Sequence, residues 1–472
     1  MIKLTKQDIR WGYFASFFNI GAGMIVLPLV LSMLSAEEIG MNYLMLTVGT
    51  LVALFDFGFA PQLGRNLNYV FSGAQNLTKE GVEIIEKGDN INYQLLATTI
   101  HTARYVYMRL ALIVLITMLT FGTLYIYQVT NGFKNVEYSF IIWILYSIST
   151  FTNIYFTYYS SLLLGKGLIK ESKKAKVFGR LTYVFLAAVL LILGFGLLAV
   201  VIANMLAPFV KRYLSYKYFF TSEFKSKLEA YNVTKKQKIE LFNIIWYNTK
   251  KLGLVFIAAY VVTRFGLFIA GLFLSLSEIA SYGLMMQLVQ IITGLSGTLF
   301  TIYQPRFSSL RVQGDNHSLM KEFAFSMNIR YIIYLVGIVS LIIIGPWALQ
   351  LIGSNAELPS SIILVIYSLV ILLEANHGSF ASIIVTKNDV PFVKPSLITG
   401  AFIILGCYLS LQYTTLGILG LILVQGLAQL AYSNWKWPDV VCKEFKVDFL
   451  SFLKLGFNES YSRFKVYLYE RN

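Results

Sequence analysis

Apolar residues along this chain gather into runs of near twenty, each bounded by charges or by Gly, Pro and Asn clusters. A run of that length predicts a helix that crosses the roughly 30 Å hydrocarbon layer of a bilayer. The runs are 11–34, 39–60, 106–128, 138–164, 177–194, 197–219, 252–274, 279–303, 329–351, 359–383, 396–412 and 415–434. The first begins at Trp11, behind Lys3, Lys6 and Arg10, and ends in Ser35-Ala36-Glu37-Glu38 without a small-x-small cleavage site, so it reads as a retained helix. As one helix, 177–219 would extend roughly 65 Å, about twice the hydrocarbon thickness. A tight hairpin at Gly194-Phe195-Gly196 is therefore predicted. Between the spans, Ile91, Leu95, Leu96, Thr99, Ile100 and Ala103 share one helical stripe, which predicts an interfacial helix over 91–105; the tail 445–457 predicts another. The fold class expected is an all-α polytopic membrane protein of about twelve transmembrane helices in two six-helix lobes around a central cavity. Its parts are an N-terminal lobe (1–219), a basic linker (220–251), a C-terminal lobe (252–434) and a tail (435–472).

Composition sharpens this reading. Charged residues make up 13% and hydrophobic ones 57% of 472 residues, against roughly 25% charged in a soluble domain, so the chain cannot cover a water-exposed surface of its own size. The net charge of +15 is arranged by side. With the N-terminus inside, every Lys and Arg except Lys134 and Arg264 falls on the N-terminal tail, the even-to-odd loops, the adjoining span ends or the C-terminal tail. That is the positive-inside bias, and it puts both termini in the cytoplasm of a bacterial inner membrane. Anionic lipid head groups, and no nucleic acid, are the partners such charge implies. Cys407 and Cys442 sit in unlike surroundings and make no metal or disulfide pattern. GxxxxGK[ST], HExxH and GxSxG are all missing, and the outer loops are too short to carry a catalytic centre. Neither enzymatic activity nor a cofactor is expected.

The two halves look alike. Each opens on a basic, aromatic lead-in, Ile9-Arg10-Trp11 and then Ile245-Trp246-Tyr247 with Lys250-Lys251. The second helix of each is expected to end at a proline followed by an arginine: Pro61-Gln62-Leu63-Gly64-Arg65 and Pro305-Arg306. Leu77-Thr78-Lys79-Glu80 and Leu319-Met320-Lys321-Glu322 follow at a matching distance. Six spans and six spans make parallel repeats, which rock about a central cavity.

The stretch Ile20 to Leu31 (IGAGMIVLPLVL), then Asp56-Phe57-Gly58-Phe59-Ala60-Pro61 with Arg65-Asn66, then Phe71-Ser72-Gly73-Ala74, carries a resemblance. It is similar to the polysaccharide-transporter branch of the multidrug/oligosaccharidyl-lipid/polysaccharide (MOP) exporter superfamily, and within that to O-antigen flippases of the Wzx type. The specific match covers residues 9–81. The resemblance implies two six-helix lobes, alternating access, and an undecaprenyl-diphosphate-linked oligosaccharide as cargo. A polysaccharide polymerase and a chain-length regulator are the partner proteins it allows.

Charges within spans cost at least about 2.5–3.5 kcal/mol each at a helix centre, so they mark function candidates. Arg264 lies about 20 Å into its helix beyond Lys251; it either holds a diphosphate, or snorkels to the outer interface or pairs with Glu278 at the same mouth. Glu374 and His377 share a face of the tenth span and are the candidates for a coupling ion; the bland alternative leaves His377 near the inner interface and pairs Glu374 with a polar group of a neighbouring helix. Asp56, at the inner boundary, either latches to Arg65 or to another loop as part of a cytoplasmic gate, or contacts the substrate where the diphosphate enters. Arg65, Arg306 and Arg109 lie where a lipid diphosphate first arrives, and equally where positive-inside anchors belong. Asn153, Gln287 and Gln290, with Asn19 and Asn204, either line a sugar-binding cavity or bond helix to helix. Two rivals stand beside the flippase reading: a membrane-embedded polysaccharide polymerase or ligase, and a drug or metabolite exporter of the same superfamily.

Overall fold

A computed structural model describes residues 6–71, 73–79, 91–312, 314–387 and 391–469. Among these residues the chain is helical and contains no strand. Eleven helices are long and apolar enough to cross a membrane, and a shorter apolar helix covers Tyr260–Ala270. The protein is a multi-pass membrane protein. It divides into two compact units, Met1–Tyr260 and Val261–Asn472.

The first unit runs α1 (Lys6–Met33), α2 (Ala36–Ala53), a 3₁₀ turn (Leu54–Asp56), α3 (Phe59–Phe71) and α4 (Tyr93–Thr117). A π-helical turn (Met118–Gly122) joins α4 to α5 (Thr123–Val129); then come α6 (Ser139–Gly165), α7 (Ile169–Ile192), α8 (Gly196–Phe219), α9 (Ser222–Glu229) and most of α10 (Lys235–Ala270). The second unit takes the end of α10 and continues through α11 (Leu276–Ser296), α12 (Thr298–Val312), α13 (Asn316–Leu351) and α14 (Ser361–Val385). It closes with α15 (Val393–Tyr413), α16 (Gly417–Leu430), α17 (Ser433–Glu444) and α18 (Phe449–Tyr469).

Local chemistry fixes several boundaries. Ser35 and Glu38 form a capping box at the start of α2, and Ser275 and Glu278 form the same box at the start of α11, so one start signal recurs at the second span of each half. Glu38 does more. Its Oε2 accepts from the Ser35 amide (2.9 Å) and its Oε1 from the Leu197 amide (2.8 Å), so one carboxylate serves the N-termini of α2 and α8. The hairpin between α7 and α8 falls where predicted, with Gly194 at φ 83° and Gly196 at φ 54°, values that glycine adopts without steric cost.

Three expectations change. The stripe over 91–105 is not a separate interfacial helix: Tyr93–Val129 is one continuous helical rod, and the stripe is its extension beyond the apolar run. A continuous helix leaves no local breaker for the sequence to show. The prolines do not end the second helices. In the first half the break is at Phe57-Gly58, both left-handed (φ 47° and 81°), and Pro61 lies in the first turn of α3. In the second half the break is at Gly297, and Pro305 falls inside α12. The tail, finally, is docked through one face. Phe452 of α18 is buried against Phe323 and Phe380, and Asn328 donates to the Ser460 hydroxyl at 2.8 Å. The segment 220–251 packs within the first unit, contributing Phe224, Leu241 and Ile245 to its core. Glu80, one half of the repeated Lys-Glu string, lies outside the described residues.

Candidate functional site

The Asp56-Phe57-Gly58-Phe59 motif builds a turn. With Phe57 and Gly58 left-handed, the chain leaves the 3₁₀ turn and re-enters a helix at Phe59. The Asp56 carboxylate holds that turn from two directions: Oδ1 accepts from the Tyr107 hydroxyl of α4 at 2.6 Å, and Oδ2 accepts from the Ala60 amide at 3.3 Å. The two flanking rings are clamped by α10. Phe57 meets Trp246 edge-on at 5.8 Å, and Phe59 stacks on Trp246 and Phe242 at 5.7 and 5.9 Å. The latch foreseen for Asp56 therefore closes on a tyrosine 51 residues away and not on Arg65, which is exposed on α3.

In the second unit the polar residues surround space instead. Helix α11 presents Met286, Gln290 and Thr293, and α14 presents Tyr367, Ile371 and Glu374. Both sets follow i, i+4, i+7 spacing, so each lies along one helix face. With Thr263 and Arg264 from α10 and Gln425 from α16, the two stripes enclose a cavity of about 240 Å³. Arg264 Nη2 donates to Gln290 Oε1 at 2.8 Å. Glu374 Oε2 accepts from Gln425 and Gln429, at 3.0 and 2.9 Å. Glu278 caps α11, and its recorded bonds go to Ser275, so the pairing with Arg264 weighed from the sequence does not form.

A second cavity, of about 430 Å³, shares Gln290 and Thr293 with the first and continues past the helix break at Gly297. Small residues make the room: a Cβ added at Gly294 or Gly378 would meet nothing within 4 Å. Its cation is Arg330 of α13, which donates through Nη1 to the Ser379 hydroxyl. The buried Nε of Arg330 has no partner among the described residues, a cost that a ligand acceptor would remove. The two neighbouring cavities thus carry two guanidinium groups, one carboxylate and a stripe of amides and hydroxyls.

Of the sequence candidates, Arg264, Gln290 and Glu374 come together here. His377 does not line either cavity; its Nδ1 is 2.7 Å from Asn434 Oδ1. Asn153 is in the first unit and bonds back to the Ser149 carbonyl at 3.0 Å, as Asn19 does to Ala15 at 2.6 Å. Gln287 is half-buried one position off the lining face of α11. Arg306 pairs with Glu322 at 3.1 Å, and Glu322 is shared with Arg463 at 2.9 Å. Arg109 lies over the Tyr105 ring at 4.1 Å. Arg330, Thr293, Tyr367 and Ser379 were not singled out in the sequence. The signal that was there is the run Glu374, Gly378 and Ser382, small and polar residues at four-residue spacing inside an apolar span.

No protein-family model matches the chain, and no curated protein sequence matches it. Solved structures do. The inward-facing conformation of a multidrug resistance MATE family transporter of the MOP superfamily aligns with a TM-score of 0.62 at 14% identity, over 94% of this chain and 97% of that one. The lipid II flippase MurJ, in an inward closed conformation, aligns with a TM-score of 0.62 at 13% identity, over 98% of this chain and 92% of that one. The chain therefore shares its fold with these two solved proteins.

Proposed function

We propose that this protein is a flippase of the inner bacterial membrane. It carries undecaprenyl-diphosphate-linked oligosaccharide units from the cytoplasmic to the periplasmic leaflet by alternating access, for O-antigen or a related surface polysaccharide. The observation that carries this reading is that Arg264 and Arg330 each line a polar cavity of the second unit, two cavities that share Gln290 and Thr293. Guanidinium groups present planar forks of donors that match phosphate oxygens, and they keep their charge at any relevant pH. Between them, Gln290, Thr293, Ser379 and Ser382 offer the amides and hydroxyls that sugar hydroxyls exchange bonds with. Sites for small ligands occupy about 300–1,000 Å³, and the two cavities together fall in that range. The fold, and the N-terminal resemblance around Asp56-Phe57-Gly58-Phe59, support the same reading. The lysine and arginine bias supports cytoplasmic termini.

Glu374 favours a second reading. A carboxylate in the cavity suits a cationic drug or metabolite, or a coupling proton. The two readings separate in one experiment. Depleting the protein in its host should accumulate a lipid-linked glycan on the cytoplasmic side under the first, and should only raise sensitivity to cationic compounds under the second. Accumulation restored to normal by the wild-type gene but not by Arg264→Ala supports the flippase.

A further inference from the structure

The first unit holds a pocket that the transport reading does not use. It has a volume of about 380 Å³ and lies where the start of α4 meets α6, the end of α8 and α9. Its aromatic wall is Tyr158 and Tyr159, stacked at 4.4 Å and 28°, with Tyr216 and Phe220 opposite. Two cations border that wall. Arg104 projects from α4 and Lys225 from α9, with the imidazole of His101 one turn before Arg104 on the same helix. Arg212 lies 5.8 Å from the Tyr159 ring on its outer side.

These parts are held, not merely close. Arg104 Nε donates to the Tyr155 hydroxyl at 3.3 Å, which fixes the plane of the guanidinium. Among the described residues no carboxylate pairs with it. The one acid in the lining, Glu229, is paired with Lys225 at 3.5 Å, and both are more than half exposed. Such a pair contributes little and gives way readily to a better partner. Gln94 ties the 230–232 turn down by donating to the Asn232 carbonyl at 3.4 Å. A concave site with aromatic walls and a net positive lining draws an entering anion.

We propose that this pocket binds a phosphate-bearing ligand, whose phosphate is held by Arg104, His101 and Lys225 while an attached planar or apolar group rests on the aromatic wall. Two sources supply that chemistry, a soluble nucleoside diphosphate and the head group of an anionic lipid. The site does not depend on what the second unit transports.

The test uses the purified full-length protein. In one arm, uridine diphosphate and inorganic pyrophosphate are titrated calorimetrically in detergent. In the other, nanodiscs of phosphatidylcholine with and without phosphatidylglycerol are compared by native mass spectrometry for retained lipid. Saturable binding is expected in one arm, about tenfold weaker in Arg104→Gln, as expected for loss of one charged hydrogen-bond donor. It should also weaken in Lys225→Gln, a surface change that leaves the fold intact. Absence of saturable binding in both arms overturns the proposal. So does binding that survives both Arg104→Gln and Lys225→Gln.

Discussion

The second span of each half breaks once, and the two breaks have opposite surroundings. At Phe57-Gly58 the turn is held shut: Asp56 bonds Tyr107 and the Ala60 amide, and Trp246 and Phe242 cover the rings of Phe57 and Phe59. At Gly297 the break faces a cavity, with Arg330 close by and its Nε unpaired among the described residues. The same architectural event is closed with aromatic packing in one unit and left open with polar groups in the other. The lesson is that a motif conspicuous in the sequence, such as Asp-Phe-Gly-Phe, need not be where a ligand binds. A cavity lined by polar side chains from several helices is the better guide, because such groups are costly to bury without partners.

The comparison can be broken at either end. The largest effect is expected from filling the open side. Gly378→Trp places a ring in the empty cavity and should reduce glycan export by about 100-fold, the equivalent of losing roughly 2.7 kcal/mol of substrate binding. Its melting temperature should stay near wild type; a variant that exports normally would show that the cavity is not on the route. At the closed side, Trp246→Ala should cost about 3 kcal/mol of stability, as large-to-small aromatic changes do. Thermal unfolding in detergent would register it, whereas export at permissive temperature should persist.

Tyr107→Phe should be milder, about 1–3 kcal/mol, because the Asp56 carboxylate keeps only the Ala60 amide. Asp56→Asn, which can still accept from Tyr107, should cost less. If Asp56→Asn instead abolished export in a protein of normal stability, the turn would be part of the transport machinery. Smallest of all, Arg306→Gln leaves Glu322 paired with Arg463 and should change stability by less than about 1 kcal/mol.

Much of this was legible beforehand because the bilayer imposes strong rules. Length of apolar run and placement of lysines gave the helices, and the glycines at 194 and 196 gave the hairpin. Arg264, Gln290 and Glu374 stood out because polar residues are conspicuous inside spans. Arg330 did not. It sits at the edge of the apolar run 329–351, where an arginine reads as an anchor, yet α13 starts at Asn316 and Arg330 is about 21 Å along it. The partner of Asp56 was equally hidden, since Tyr107 is 51 residues away and only the fold of α3 against α4 brings them together. His377 and Glu374 share a helix face, but neighbouring helices supply each with a different partner. Spacing along one helix cannot foretell what the next helix brings.

The central claim is that the guanidinium groups of the second unit hold the phosphate of a lipid-linked glycan. The direct measurement is flipping of undecaprenyl-diphosphate-linked sugar in proteoliposomes, comparing wild type with Arg264→Ala, Arg330→Ala and the stability-matched Asp56→Asn. Loss of flipping by about 100-fold in each arginine variant, with Asp56→Asn near wild type, is the predicted result. Full flipping by both Arg264→Ala and Arg330→Ala would contradict it.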